Sequence, residues 1–191
     1  MFRASARELK SIKCLTVTGV LIAVYVLLNT FVSIKLPTVK LTFNYLPLSV
    51  IGMLYGPCVS TLAAIPADII STLLEGKSIA GWLIPSRIAE GFIYGLFFYR
   101  LKFIKNKKQT AFNAVRIISA RFSVMFLCYM LYNTTVLFFI YGVSEDAYNV
   151  YFYLRLSKNV IQFPVDLFLL FTLLPAINIA YYRVFRERKN V

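Results

Sequence analysis

Five polar side chains, Arg155, Lys158, Asn159, Gln162 and Asp166, interrupt an otherwise apolar stretch over residues 151–174. Their spacings are i, i+3, i+4, i+7 and i+11, and at about 100° per residue they fall on one narrow stripe of an α-helix. Leu, Phe, Val and Ile cover the rest. A cation near the middle of a membrane-spanning helix costs about 2.5–3.5 kcal/mol on insertion scales, so Arg155 and Lys158 need partners. Either neighbouring helices supply those partners permanently, or an anionic ligand does.

Other polar residues within apolar runs extend the same chemistry. Asp68, Arg87 and Asn133 each lie in a different apolar segment, and Arg87, Glu90 and Tyr94 share one helical face. Trp82, Phe43 and Tyr129 offer faces on which a flat ligand could stack, although each also suits an interfacial or core position. Arg87, Arg155 and Lys158 outnumber Asp68 and Glu90, an excess that an anion could neutralise. The competing reading is a permanent ion-pair network with Glu90 or Asp166, or snorkelling to headgroups. For Asp68 that reading is pairing with one of the cations. Asp166 lies about 16 Å along the helix axis from Arg155 and is expected to pair with Arg116 or Arg121, a structural role.

Bond-making chemistry finds no support. The chain has no histidine, no paired-carboxylate metal motif and no nucleotide-binding loop. The tetrapeptide EGKS at 75–78 resembles the end of a phosphate loop, but Ser71 stands where the first glycine is required. Cys14, Cys58 and Cys128 lie far apart, without a metal or disulfide pattern. Asn133-Thr134-Thr135 matches a glycosylation sequon inside an apolar run, where it carries no weight.

The elements that must position these residues are membrane helices. The 191 residues are 59% hydrophobic, with mean hydropathy +0.71, more apolar surface than a soluble domain of this length uses. A formal charge of +13 raises a nucleic-acid reading, but placement removes it. The basic residues cluster at Arg3/Arg7/Lys10/Lys13, at Arg100/Lys102/Lys105/Lys107/Lys108 and at Arg183/Arg186/Arg188/Lys189, flanking apolar runs as cytoplasmic anchors do. The first apolar run is too long for a cleaved signal peptide.

Six helices are expected in a single membrane domain over 1–191, at about 15–32, 46–55, 57–74, 81–99, 114–141 and 150–182. The fold class is an all-α integral membrane protein. The segment 33–45 is too polar to span and reads as a long loop. The helix at 46–55 rises only about 15 Å, half a bilayer, before Gly56-Pro57 breaks it. Residues 75–80 and 142–149 read as turns and 100–113 as a basic loop. Basic clusters on one side require an even number of spans with both termini cytoplasmic, which six satisfies. Asp68, Arg87, Asn133, Arg155 and Lys158 then lie near one level in the outer half, on four helices, as a ligand pocket open outward would place them.

A pocket without a motor implies a facilitator or the binding subunit of a larger pump. The small-xxx-small pairs Gly19/Ala23 and Ala63/Ala67 favour the second, because they let a partner helix approach closely; packing within the bundle is the alternative.

The arrangement resembles the substrate-binding S components of energy-coupling factor (ECF) vitamin transporters, most closely the folate-specific members. The matching residues are TFNYLPLSVIGMLYGP (42–57), PADII with Asp68, LYNTTVLFFIYG (131–142) and YLRLSKNVIQFPVD (153–166), the last two carrying an Asn-Thr and an Arg-x-x-Lys signature. The resemblance covers essentially the whole chain. It departs on the first helix, where the family's docking motif is usually Ala-x-x-x-Ala and Gly19 occupies the first position.

The resemblance implies a multi-pass protein of the bacterial cell membrane that captures folate at the outer face with high affinity. It would dock on a shared transmembrane coupling subunit and topple to carry its pocket inward. Two partner ATPase subunits use the ATP, so no cofactor and no enzyme activity are implied for this chain. Folate's two tail carboxylates match the excess cations, and its flat pterin suits a carboxylate or amide between aromatics. The 33–45 loop would be a lid ordered by ligand. Other readings are an S component for another anionic vitamin such as pantothenate, a non-transporting scaffold, and a membrane enzyme acting on lipid phosphates, which would require clustered acidic metal ligands in the inner half that the sequence does not show.

Overall fold

The computed structural model describes residues 2–35, 40–76, 81–101, 103, 107–142 and 145–187. A short helix α1 (Phe2–Glu8) precedes α2 (Ile12–Thr30). A two-residue antiparallel ladder, β1 (Ile34–Lys35) with β2 (Lys40–Leu41), pairs Ile34 with Leu41 and Lys35 with Lys40. Helices α3 (Tyr45–Tyr55), α4 (Pro57–Leu74) and α5 (Ile84–Phe98) follow, the last entered through a 3₁₀ turn at Gly81–Leu83. One continuous rod then comprises α6 (Lys107–Ser123), a π-helical stretch (Val124–Tyr132) and α7 (Asn133–Tyr141). The chain ends in α8 (Glu145–Glu187).

Among the described residues, four helical stretches are long and apolar enough to cross a membrane: Ile12–Thr30, Pro57–Leu74, Lys108–Ile140 and Tyr148–Tyr181. Their outward faces carry large apolar side chains such as Leu62, Phe126, Val160 and Phe168, as a lipid-facing surface does. Tyr45–Tyr55 is a shorter apolar helix. Ten of its eleven residues are buried, so α3 is the centre of the bundle rather than part of its wall.

Glycine explains the tight centre. Gly56 separates α3 from α4 with φ at +87°, a conformation open to residues without a Cβ, and Pro57 then starts α4. A Cβ on Gly95 of α5 would lie 2.3 Å from the Pro57 Cα, so only glycine allows α4 and α5 to meet there. The Ser60 hydroxyl donates to the Gly91 carbonyl at 2.7 Å across the same seam. Around α3 the core gathers Tyr45, Leu48, Tyr94, Phe98, Ile117, Leu170 and Leu174.

Several expectations need correction. The first long helix starts at Ile12 rather than 15, and a separate α1 precedes it. The fifth apolar helix starts at Lys107, seven residues before 114, because a Lys-rich first turn can be helical outside the apolar layer. The last begins at Glu145, within the stretch read as a turn over 142–149, and reaches Glu187. Parts of the 33–45, 75–80, 100–113 and 142–149 connections, including Pro37, Lys102 and Lys105, lie outside the described residues, as do Arg188 and Lys189. Ala63 and Ala67 are 4% and 1% exposed. They pack inside the bundle and present no surface to a partner. Gly19 and Ala23 lie on an exposed face, and a Cβ on Gly19 would meet nothing within 4 Å.

Candidate functional site

The polar residues of α4, α5, α6, the π-helical stretch and α8 form two arginine-centred clusters. In the first, Arg87 is held on two edges. Its Nε donates to Asp68 Oδ1 at 3.1 Å and its Nη1 to Glu90 Oε2 at 2.9 Å. Glu90, 1% exposed, accepts a second bond at its other oxygen from the Tyr129 hydroxyl, 2.8 Å away. One cation therefore serves two carboxylates, and the cluster keeps a formal charge of −1.

The second cluster centres on Arg121, which is fully buried with Asp166. Its Nε donates to Asp166 Oδ2 at 2.9 Å and its Nη1 to the Tyr94 hydroxyl at 2.7 Å. The guanidinium lies over the Tyr45 ring, 4.2 Å from its centroid, and 5.6 Å from that of Tyr129. Charge, hydrogen bonds and aromatic faces are all matched, as a buried ion pair requires. Arg116, the other partner considered for Asp166, instead lies over the Phe112 ring.

Arg155 and Lys158 lack such partners. Arg155 Nη1 donates to Thr134 Oγ1 at 3.4 Å and makes no ion pair among the described residues. Lys158 stands within electrostatic reach of Asp166, Arg87, Arg121 and Arg155 and pairs with none of them. Among the buried side-chain atoms without a hydrogen-bond partner are Asn133 Oδ1, on the residue before Thr134, and Asn159 Nδ2, on the residue after Lys158. A ligand could satisfy both, as it could an unpartnered donor or acceptor generally. Asn159 and Gln162 are buried on α8, with Arg155 and Lys158 partly exposed above them. Gln162 is already engaged, its amide donating to the Thr42 carbonyl at 3.0 Å and to Asp166 Oδ1 at 3.3 Å.

The π-helical stretch explains how Asn133 and Thr134 reach this place. Eighteen residues of unbroken α-helix make about five full turns, so Phe139 would share the face of Arg121, with Asn133 and Thr134 turned toward lipid. The observed helix does the reverse. Phe139 is 77% exposed and Thr134 fully buried. The Asn133 N–H donates to the Cys128 carbonyl five residues back, and the Thr134 hydroxyl donates to the Tyr129 carbonyl at 3.4 Å. Wider turns thus rotate the start of α7 inward, a use of π-helix common at functional sites.

Of the remaining expected residues, Phe43 packs against the core beside Thr42, while Trp82 is partly exposed in the 3₁₀ turn, where its carbonyl accepts the Tyr132 hydroxyl at 2.8 Å. Sequence reasoning missed Tyr25, Asn29 and Asn44. The Asn44 amide donates to the Tyr25 hydroxyl at 3.0 Å and to Asn29 Oδ1 at 3.2 Å. Asn44 falls in a segment read as a loop, and no periodicity marked it.

A curated relative, the folate transporter FolT of Clostridium novyi (strain NT), is 26% identical over 159 residues, covering 82% of this chain and 85% of the relative. A solved structure described as FolT bound with folic acid superposes with a TM-score of 0.70 at 29% identity, over 85% of this chain and 93% of that one. The sequence profile of the ECF transporter substrate-specific component matches residues 13–174. The chain belongs to the family of ECF transporter substrate-specific components.

Proposed function

We propose that this protein is the folate-binding subunit of an ECF-type, ATP-driven uptake transporter of a bacterial cell membrane. The observation that carries the reading is the division of charge within the site. Asp68 and Glu90 share Arg87, whereas Arg155 and Lys158 have no carboxylate of their own among the described residues. A ligand with hydrogen-bond donors at one end and two carboxylates at the other complements that division. Folate, with its pterin amino edge and glutamate tail, is such a molecule. Pantothenate has one carboxylate and leaves one cation unmatched. The ligand named for the FolT structure, folic acid, agrees.

In this reading the site faces outward, six spans place both termini in the cytoplasm, and the basic clusters mark the inner face. The exposed Gly19/Ala23 face of α2 receives a transmembrane coupling subunit, and ATP is hydrolysed by two further partner subunits. Arg155 and Lys158 bind the tail carboxylates. Asn133 and Asn159 supply the unpartnered acceptor and donor between tail and pterin, and Tyr129, Phe43 and Trp82 bound the ring. Mass spectrometry of small molecules retained by the detergent-purified chain tests this. A folate is the expected finding; a different vitamin retained in stoichiometric amount would refute the specificity.

A further inference from the structure

At the end of the bundle remote from this site, α1 lies against the α3–α4 junction. Ser5 is its anchor. Its hydroxyl donates to the Tyr55 carbonyl at 2.7 Å and accepts the Cys58 N–H at 3.1 Å. A Cβ on Gly56 would come within 2.9 Å of this hydroxyl. Phe2 stacks on Phe92 of α5 with centroids 6.0 Å apart, and the Phe2 carbonyl lies 3.6 Å from the Cys58 thiol. The helix therefore lies against Cys58, whose thiol stays half-buried beside it.

The opposite side of α1 is cationic and unmatched. Arg3 and Arg7 are i, i+4 neighbours about 160° or more around the helix from Ser5. Both are exposed, as is Lys10, and none of the three makes an ion pair among the described residues. Apolar surface lies at the same end: Phe2 is 49% exposed, and Ile12, the first residue of α2, is 81% exposed. A short helix with one face on protein, an apolar edge and a basic face, set where a spanning helix enters the membrane, lies at headgroup depth. An acidic protein partner would not need the exposed Phe2 beside the cations; acyl chains would cover it.

We propose that Arg3 and Arg7, with Lys10, bind the phosphate headgroup of an anionic phospholipid, and that the bound lipid clasps α1 onto the α3–α4 junction. Charge complementarity and the adjoining apolar edge select the ligand class. The consequence is a helix whose docking depends on the lipid composition of its leaflet.

The test uses the full chain in nanodiscs of phosphatidylcholine alone or mixed with phosphatidylglycerol. Cys58 is half-buried with α1 docked, so an increase in its rate of alkylation by a water-soluble maleimide reports undocking, and Cys14 and Cys128 are buried. Labelling is expected to be at least threefold slower with phosphatidylglycerol, and the difference should vanish in Arg3→Gln/Arg7→Gln. Equal rates for the unaltered protein in both lipids, or a lipid effect that survives the double substitution, would overturn the proposal. So would equal protection by inorganic phosphate in phosphatidylcholine discs, since the ligand would then be a free anion. If Cys58 is shielded from the reagent throughout, native mass spectrometry decides: the double variant must retain less phosphatidylglycerol than the unaltered chain, and equal retention overturns the assignment.

Discussion

The Gln162 side-chain amide donates to the Thr42 carbonyl at 3.0 Å, joining positions 120 residues apart. Thr42 directly follows β2, and Gln162 sits on the stripe that carries Arg155 and Lys158. The bond ties the segment between α2 and α3 to the wall of the site. Gln162→Leu is therefore expected to raise both association and dissociation rates for folate several-fold, with a smaller change in affinity. Stopped-flow fluorescence of Trp82, the single tryptophan, can follow both. A variant with faster dissociation but unchanged association would mean that Gln162 contacts the ligand directly.

Arg155→Ala should weaken folate binding by about 2–5 kcal/mol, because a ligand carboxylate is left buried without its cation. Lys158→Ala should cost less, since an ammonium retains part of its hydration. Isothermal titration of each variant measures both effects. Unchanged affinity in a folded Arg155→Ala protein would make this arginine structural.

The Arg121–Asp166 pair predicts a stability effect instead. Asp166→Leu leaves a buried guanidinium unpaired and should destabilise the protein by about 3–5 kcal/mol. Adding Arg121→Met should recover much of the loss, because replacing both members of a buried pair with apolar residues is often nearly neutral. Thermal unfolding in detergent compares the two. A double variant less stable than the single would contradict this reading of the pair.

How legible these roles were in the sequence differed with the physics behind each. The stripe on α8 was legible because five polar residues at helical spacing in an apolar run mark one face of a spanning helix. The start of α4 was legible because Gly56-Pro57 is a backbone signal. Which cation lacked a partner was not. Arg87, Arg121, Arg155 and Lys158 are all cations in apolar runs, and only packing gives Arg87 two carboxylates and Arg155 none among the described residues. The inward turn of Asn133 was hidden too, since hydropathy reads the same through α- and π-helix. Small-residue pairs also do not reveal which way they face: Gly19/Ala23 looks outward and Ala63/Ala67 inward, from the same spacing.

That difference in facing gives a further prediction. Gly19→Trp should leave folding and folate affinity within about twofold, since nothing lies within 4 Å of the new side chain's base and the site is elsewhere. It should abolish uptake in cells by holding the coupling subunit away. Gly95→Leu should instead prevent folding, because its Cβ would meet the Pro57 backbone. Co-purification with the partner subunit, beside ligand titration, separates these outcomes. Normal uptake by Gly19→Trp would place the docking surface on another helix.

The most direct test of the central claim is calorimetric titration of the purified chain, without ATP or partner subunits, against folic acid, a reduced folate and pantothenate. Saturable one-to-one binding of a folate, with no heat from pantothenate, is the predicted result. A well-folded protein that binds neither folate, or that takes up pantothenate in their place, would contradict the assignment of Arg155 and Lys158 to a dicarboxylate.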